Sequence, residues 1–191
     1  MVRESMVISL AYPTLACWAL LEVGLRVREA VQGRGGRNRD RGTRVLIAIA
    51  LGAAIGAASV ATSLAPSLRI PVAVRVVGVI VMWLGLATRI WAVAALGSEF
   101  RTTVEVDPDQ AVVTTGPYKW IRHPSYAGLL LILAGLGLAL GNWLAAVACL
   151  ALPLPALTWR IHVEEAELSH VLGDAYRAYQ TRTARLIPGR W

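Results

Sequence analysis

The sequence predicts an all-α, integral membrane helical bundle of about five transmembrane helices, and three observations carry that reading. Of its 191 residues, 56% are hydrophobic and only 16% are charged, whereas soluble domains carry about 25% charged residues. The apolar residues gather in long, nearly uncharged runs, most near the roughly 20 residues that cross a bilayer, and mean hydropathy is +0.55. The net charge of +7, almost all of it arginine, falls between the runs and not along one solvated face. This composition excludes a disordered chain, argues against a soluble enzyme, and gives no nucleic-acid footprint.

Five spans are expected, at about Val7–Val27, Val45–Ala65, Ile70–Gly97, Pro124–Leu140 and Trp143–Trp159. No small-residue cleavage site closes the first run, and Glu22, Arg26 and Arg28 follow at its end, so it reads as a retained span. The second carries Gly52, Ala53, Gly56, Ala57 and Ser59, a small-residue spacing expected to bring helices close. The third is long enough to tilt or project, and its Arg75 and Arg89, near the ends, are expected to snorkel. The last two are short and separated by Gly141-Asn142, which predicts a tight helical hairpin. One domain over 1–191 follows, with N-terminal spans in 1–79 and a catalytic half in 80–191.

Arginine density sets the orientation. Segments 26–44, 98–123 and 160–191 hold most of the basic residues, so they and the C-terminus are expected on the cytoplasmic side. The Arg26–Arg44 run itself reads as a topology signal in contact with anionic lipid. Cys17 and Cys149 lie inside apolar runs without a pairing pattern, so neither a disulfide framework nor a zinc site is expected.

Polar residues without a topology role fall in two blocks, Glu99–Tyr126 and Arg160–Tyr179, expected to meet over one pocket on that side. In the first, Pro124 biases His123 to an extended backbone and suits the first position of a helix. A helix starting there, with His123 at its cap, directs its first-turn amides at an anionic group, and Gly128 leaves room one turn in. Tyr118 and Tyr126 offer flat faces with a hydroxyl handle. The same residues suit an interfacial aromatic belt with a snorkelling Arg122, and residue chemistry alone does not choose between the two. In the second block Arg160 and Glu164 share a helix face, either as a simple ion pair or as an arginine fork for a carboxylate beside a carboxylate for hydroxyls or ammonium. His162 and His170 lie off that face and read as exposed or packed. Gly173-Asp174 reads as a helix stop and new N-cap, followed by an amphipathic tail at the membrane surface with Tyr176, Tyr179 and the basic residues Arg177, Arg182 and Arg185.

Gly-x-Tyr-x3-Arg-His-Pro-x-Tyr-x-Gly at 116–128, Arg-x3-Glu-Glu at 160–165 and Leu-Gly-x2-Tyr-x2-Tyr at 172–179 together resemble the isoprenylcysteine carboxyl methyltransferases. These are multi-span membrane enzymes that use S-adenosyl-L-methionine and release S-adenosyl-L-homocysteine. The resemblance covers about residues 80–190 and implies a cofactor site at Gln110, Ala111, Val112, Val113, Tyr118, His123, Pro124, Ser125, Tyr126 and Glu164, with Thr103 aligned more loosely. It places Arg160 at the family's substrate arginine, so Arg160 and Glu164 form the implied catalytic pair. Many members have histidine where this chain has Gln110. Eukaryotic members carry further N-terminal helices, so the same protein substrate does not follow.

The implied reaction is methyl-ester formation on a lipophilic carboxylate that enters from the bilayer, in a multi-pass protein of the prokaryotic plasma membrane with its catalytic side cytoplasmic. Neither a metal nor an obligate protein partner is implied. Phospholipid N-methyltransferases share these motifs, and methylation of a lipid amine would need a carboxylate base, Glu165 or Glu164. A nicotinamide-dependent membrane reductase and a transport protein using Arg75 and Arg89 are the remaining readings.

Overall fold

The computed structural model describes residues 2–31, 42–102, 104, 106 and 110–189. Helices α1 (Val2–Val31), α2 (Thr43–Leu64), α3 (Val72–Leu96), α4 (Pro124–Ala139), α5 (Trp143–Ala151), α6 (Pro153–Val171) and α7 (Asp174–Gln180) follow in order. Short 3-10 turns lie at Gly97–Glu99 and Gly116–Lys119. Ser9–Val31, Thr43–Leu64, Val72–Leu96 and the stretch Trp143–Val171 are long and apolar enough to cross a membrane, and the apolar α4 is shorter at 16 residues. An integral membrane α-bundle is therefore the observed class.

Antiparallel α3 and α4 make the central pair. α4 is apolar on every side, as befits a helix surrounded by others, and α1, α5 and α3 all pack against it. Gly85 meets Gly128, and Gly78 meets Gly135, so closely that a Cβ on Gly85 would stand 2.7 Å from the Gly128 carbonyl oxygen. Without side chains the two backbones touch, which is where helices in lipid find their dispersion energy. Gly52 and Gly56, expected to serve this purpose in α2, face open space. The buried face of α2 is instead Ala54, Ala58 and Ala61, the last two packed on Ala145 and Cys149 of α5. Gly85→Ala is accordingly expected to cost about 1–3 kcal/mol of stability through overpacking, read as a lowered Tm in detergent. Gly52→Ala should leave the Tm unchanged.

The hairpin between α4 and α5 forms as expected. Gly141 takes φ +81°, and Asn142 caps α5, its Oδ1 accepting from Leu144 N at 2.9 Å and Ala145 N at 3.2 Å. Gly141 O accepts from Ile70 N, and Trp143 N donates to Leu68 O, both at 2.9 Å, which ties this turn to the α2–α3 connection. The fifth span does not end at Trp159. Pro153 lacks an N–H and divides the run into α5 and α6, and α6 continues to Val171 because Arg160, Glu164 and Glu165 find partners inside the protein.

Arg75 and Arg89 do not snorkel. Both are buried. Arg75 donates from Nε to Ala139 O at 3.2 Å, whereas Arg89 is held by the site described next. α7 has two faces, with Tyr176 and Tyr179 buried against the protein and Asp174, Ala175, Arg177 and Ala178 exposed, and its cap is Gly173 at φ +57°, one residue before the expected Asp174.

Candidate functional site

The end of α1, the start of α2, the connection from α3 to α4, and α6 and α7 surround one cavity of about 550 Å³, the size of a small-molecule pocket. Its two ends differ in chemistry. Gln110, Tyr118, His123, Ser125, Tyr126, Arg160, Glu164 and Tyr176 line a polar end. Trp18, Ile47, Leu51, Leu129 and Leu157 line an apolar one that reaches toward the middle of the bundle.

The turn into α4 starts the helix at its proline. His123 sits at the cap, and Pro124 opens the helix as expected, but the His123 backbone, at φ −123° and ψ 57°, is not extended. The first-turn amides are less available to an anion than expected, since Tyr126 N and Ala127 N both turn back to His123 O. The Tyr126 ring stacks on His123, with centroids 5.6 Å apart. Its hydroxyl donates to Glu164 Oε2 at 2.7 Å and accepts from Arg160 Nε at 3.1 Å. Arg160 and Glu164 are thus joined through Tyr126 as well as through their helix. Arg160 also donates to Thr43 Oγ1 at 2.9 Å and to Thr102 O at 2.7 Å, so its guanidinium plane is fixed from α2, α4 and the α3–α4 connection.

Glu165, next in sequence but about 100° around the helix, turns away from the cavity. It accepts from Arg122 Nε at 2.7 Å and Arg185 Nε at 2.9 Å, and meets His123 Nε2 at 3.2 Å. Arg122 also donates to the Gln180 and Thr183 carbonyls, while Arg122 N and His123 N donate to Ala184 O and Arg185 O. The chain after α7 is thereby zipped to the Arg122-His123 segment. Tyr179 OH, donating to Tyr118 O at 2.7 Å, closes the wall between them. Burial, with Glu164 nearby, holds the Tyr118 hydroxyl far above the usual tyrosine range. Burial followed by Glu165 and Glu164 does the same for Tyr176, and burial pushes Tyr179 up to about 12. All three stay neutral at ordinary pH.

A second network stands on the α1 side. Arg89 Nε donates to Glu22 Oε1 at 2.6 Å, and its NH1 reaches Ser125 Oγ at 2.7 Å and Ser125 O at 3.1 Å. Trp18 Nε1 donates to the same Glu22 oxygen at 3.0 Å. Arg89 is therefore a buried bridge between α1, α3 and α4, which is the physical reason it is not at the lipid surface.

The structure brings together nearly all the residues singled out from sequence. Gln110, Ala111, Val112, Val113, Tyr118, His123, Ser125, Tyr126, Arg160 and Glu164 line the one cavity, and Pro124 lies fully buried away from its wall. Thr103 lies outside the described residues. Sequence reasoning missed Trp18, Glu22, Thr43 and Arg89. A signal existed for Glu22, an acid inside an apolar helix, but its partner is 67 residues away and no local pattern links them.

The family model for the isoprenylcysteine carboxyl methyltransferase (ICMT) family matches residues 76–170. Over those residues the chain belongs to the isoprenylcysteine carboxyl methyltransferase family. Protein-S-isoprenylcysteine O-methyltransferase of Xenopus laevis is 32% identical over 115 residues, 59% of this chain and 40% of that protein. The Schizosaccharomyces pombe enzyme of the same name is 32% identical over 107 residues, 55% of this chain and 45% of that one. The chain thus spans less than half the length of these curated relatives. A solved eukaryotic intramembrane Ras methyltransferase of the isoprenylcysteine carboxyl methyltransferase type superposes with TM-score 0.69 at 26% identity, covering 96% of this chain and 67% of that one. The methyltransferase-family segment contributes Gln110 through Glu164. Trp18, Glu22, Thr43, Ile47 and Leu51 come from α1 and α2, which precede it.

Proposed function

We propose that this chain transfers a methyl group from S-adenosyl-L-methionine to the carboxylate of a lipophilic, isoprenylcysteine-like acceptor, forming a methyl ester. The observation that carries this reading is the single cavity with two chemistries, in which Tyr126 links Arg160 to Glu164 at the polar end and leucines and Trp18 line the other. S-adenosyl-L-methionine, when bound, supplies an electrophilic methyl group.

The residues present suit that cofactor. Gln110 Oε1 is buried in the cavity wall without a hydrogen-bond partner among the described residues, an acceptor that a ligand amine would satisfy. Tyr118 and Tyr176, neutral and buried, offer ring faces for a purine. Glu164 uses Oε2 for Tyr126, and among the described residues no protein donor meets Oε1, which suits a ribose hydroxyl or an ammonium group.

A carboxylate acceptor is ionised at neutral pH, so ester formation needs no general base. The protein's contribution is orientation by Arg160 and exclusion of water by the leucine-lined end. A lipid amine would need a free carboxylate to take its proton; Glu165 is spent on Arg122, Arg185 and His123, and Glu164, the other candidate, is the carboxylate this reading assigns to the cofactor. The arginines around this end of the bundle, Arg26, Arg44 and Arg101 among them, support a cytoplasmic placement of the polar end.

Calorimetry on the purified protein separates this reading from a nicotinamide-dependent reductase. S-adenosyl-L-homocysteine is expected to bind and NADPH not to bind. Glu164→Ala should weaken S-adenosyl-L-homocysteine roughly tenfold or more, the loss of a hydrogen bond to a charged group. Binding of NADPH alone, or equal affinity in Glu164→Ala and the parent, would contradict the assignment.

A further inference from the structure

The apolar end of the cavity has a shape that its polar end does not explain. α1 packs on α3 and α4, and α2 packs on α5 and α6, so a trough is left between the first two helices, floored by Leu129 and Leu157. Among the residues that line the cavity, Trp18 is the one in α1 furthest along the helix from Arg26, and Leu51 the one in α2 furthest from Arg44. Trp18 stands eight residues from Arg26 and Leu51 seven from Arg44, the basic cavity residues of the same helices, or about 12 and 10 Å at the helical rise.

Trp18 also differs from the leucines in being pinned. Its ring packs on the Leu129, Leu133 and Leu157 cluster, and its indole N–H is held by Glu22, itself fixed by Arg89 and through it to Ser125 at the polar end. A leucine at the foot of the trough yields to a longer ligand by changing rotamer. An indole anchored at both its face and its N–H does not.

We propose that Trp18 is a specificity-determining residue that sets the length of hydrocarbon chain an acceptor carries, the chain lying along the trough between α1 and α2 and ending against the indole. The inference rests on the reading of the site as one for a lipophilic carboxylate, and it adds which part of the protein selects among such acids. Selection is assigned to α1 and α2, which lie before the family-matched segment, whereas the reacting end is held by the segment itself. Ala48, on the α2 wall of the same trough, supplies a substitution of opposite sign.

The test measures kcat/KM for N-acetyl-S-geranyl-, S-farnesyl- and S-geranylgeranyl-cysteine in the full-length parent, Trp18→Ala and Ala48→Leu. Trp18→Ala is expected to raise the geranylgeranyl-to-geranyl ratio about tenfold, the scale on which an apolar pocket discriminates. Ala48→Leu should lower it, and that variant decides alone if Trp18→Ala fails to fold. Superimposable chain-length profiles in parent and variants would overturn the proposal. Equilibrium binding of the same three compounds, followed by thermal shift, separates it from the proposed reaction. A parent that transfers no methyl group but shows the same variant-dependent length preference in binding keeps the gauge and rejects the esterification. Length-independent binding in all three proteins rejects the gauge.

Discussion

Replacing Arg160 with alanine is expected to lower kcat/KM for a prenylated carboxylate roughly 100-fold while leaving S-adenosyl-L-homocysteine affinity nearly unchanged. A hydrogen-bonded contact between guanidinium and carboxylate contributes about 1.5–3 kcal/mol, and 1.4 kcal/mol is about tenfold. The structure gives a reason to expect the upper part of that range. Arg160 is buried and held by Tyr126, Thr43 and Thr102, so its orientation is set before a ligand arrives. Arg160→Lys keeps the charge without the planar fork and should recover only part of the loss. The loss should appear in KM for the acceptor when chemistry is slow relative to dissociation. A matching loss of S-adenosyl-L-homocysteine affinity would instead make Arg160 part of the cofactor site.

The largest effect on stability is expected at Glu165. Glu165→Ala leaves Arg122 and His123 facing each other without their shared carboxylate, in a region where Arg122 and Glu165 side chains are 9% and 6% exposed. Removing one member of a buried pair costs about 3–5 kcal/mol, and here it also frees Arg185 and loosens the zipped C-terminal segment. A lowered Tm is the expected result, together with faster proteolysis after residue 180. Glu165→Gln, which can still accept a hydrogen bond, should fall between. If Glu165→Ala kept the parent Tm but abolished transfer, Glu165 would be a base, and the lipid-amine reading would gain what the ester reading lost.

What could be read from the sequence divides by range. The start of α4 at Pro124 was legible because proline suits the first position of a helix, and the hairpin at Gly141-Asn142 because glycine and a capping asparagine act within a few residues. The common face of Arg160 and Glu164 was legible from helical spacing, and their approach to the Glu99–Tyr126 block from charge asymmetry between loops. Three features were not. Glu165 shares its neighbour's chemistry, and only the three-dimensional position of Arg122 and Arg185 shows that it serves the fold. Arg89 lies near a span end, where hydropathy favours snorkelling, until Glu22 and Ser125 are seen around it. Gly78, Gly85, Gly128 and Gly135 repeat every seven residues, yet Gly52 and Gly56 carry an equally persuasive spacing. Which set makes contact depends on which helices are neighbours, and no single helix encodes that.

Transfer of label from methyl-tritiated S-adenosyl-L-methionine tests the central claim most directly, with N-acetyl-S-farnesylcysteine and phosphatidylethanolamine offered separately to the purified protein. The expected result is label on the prenylcysteine alone, released as volatile methanol by mild alkali because it is held as an ester. Base-stable label on phosphatidylethanolamine, or no transfer to the prenylcysteine, would contradict it.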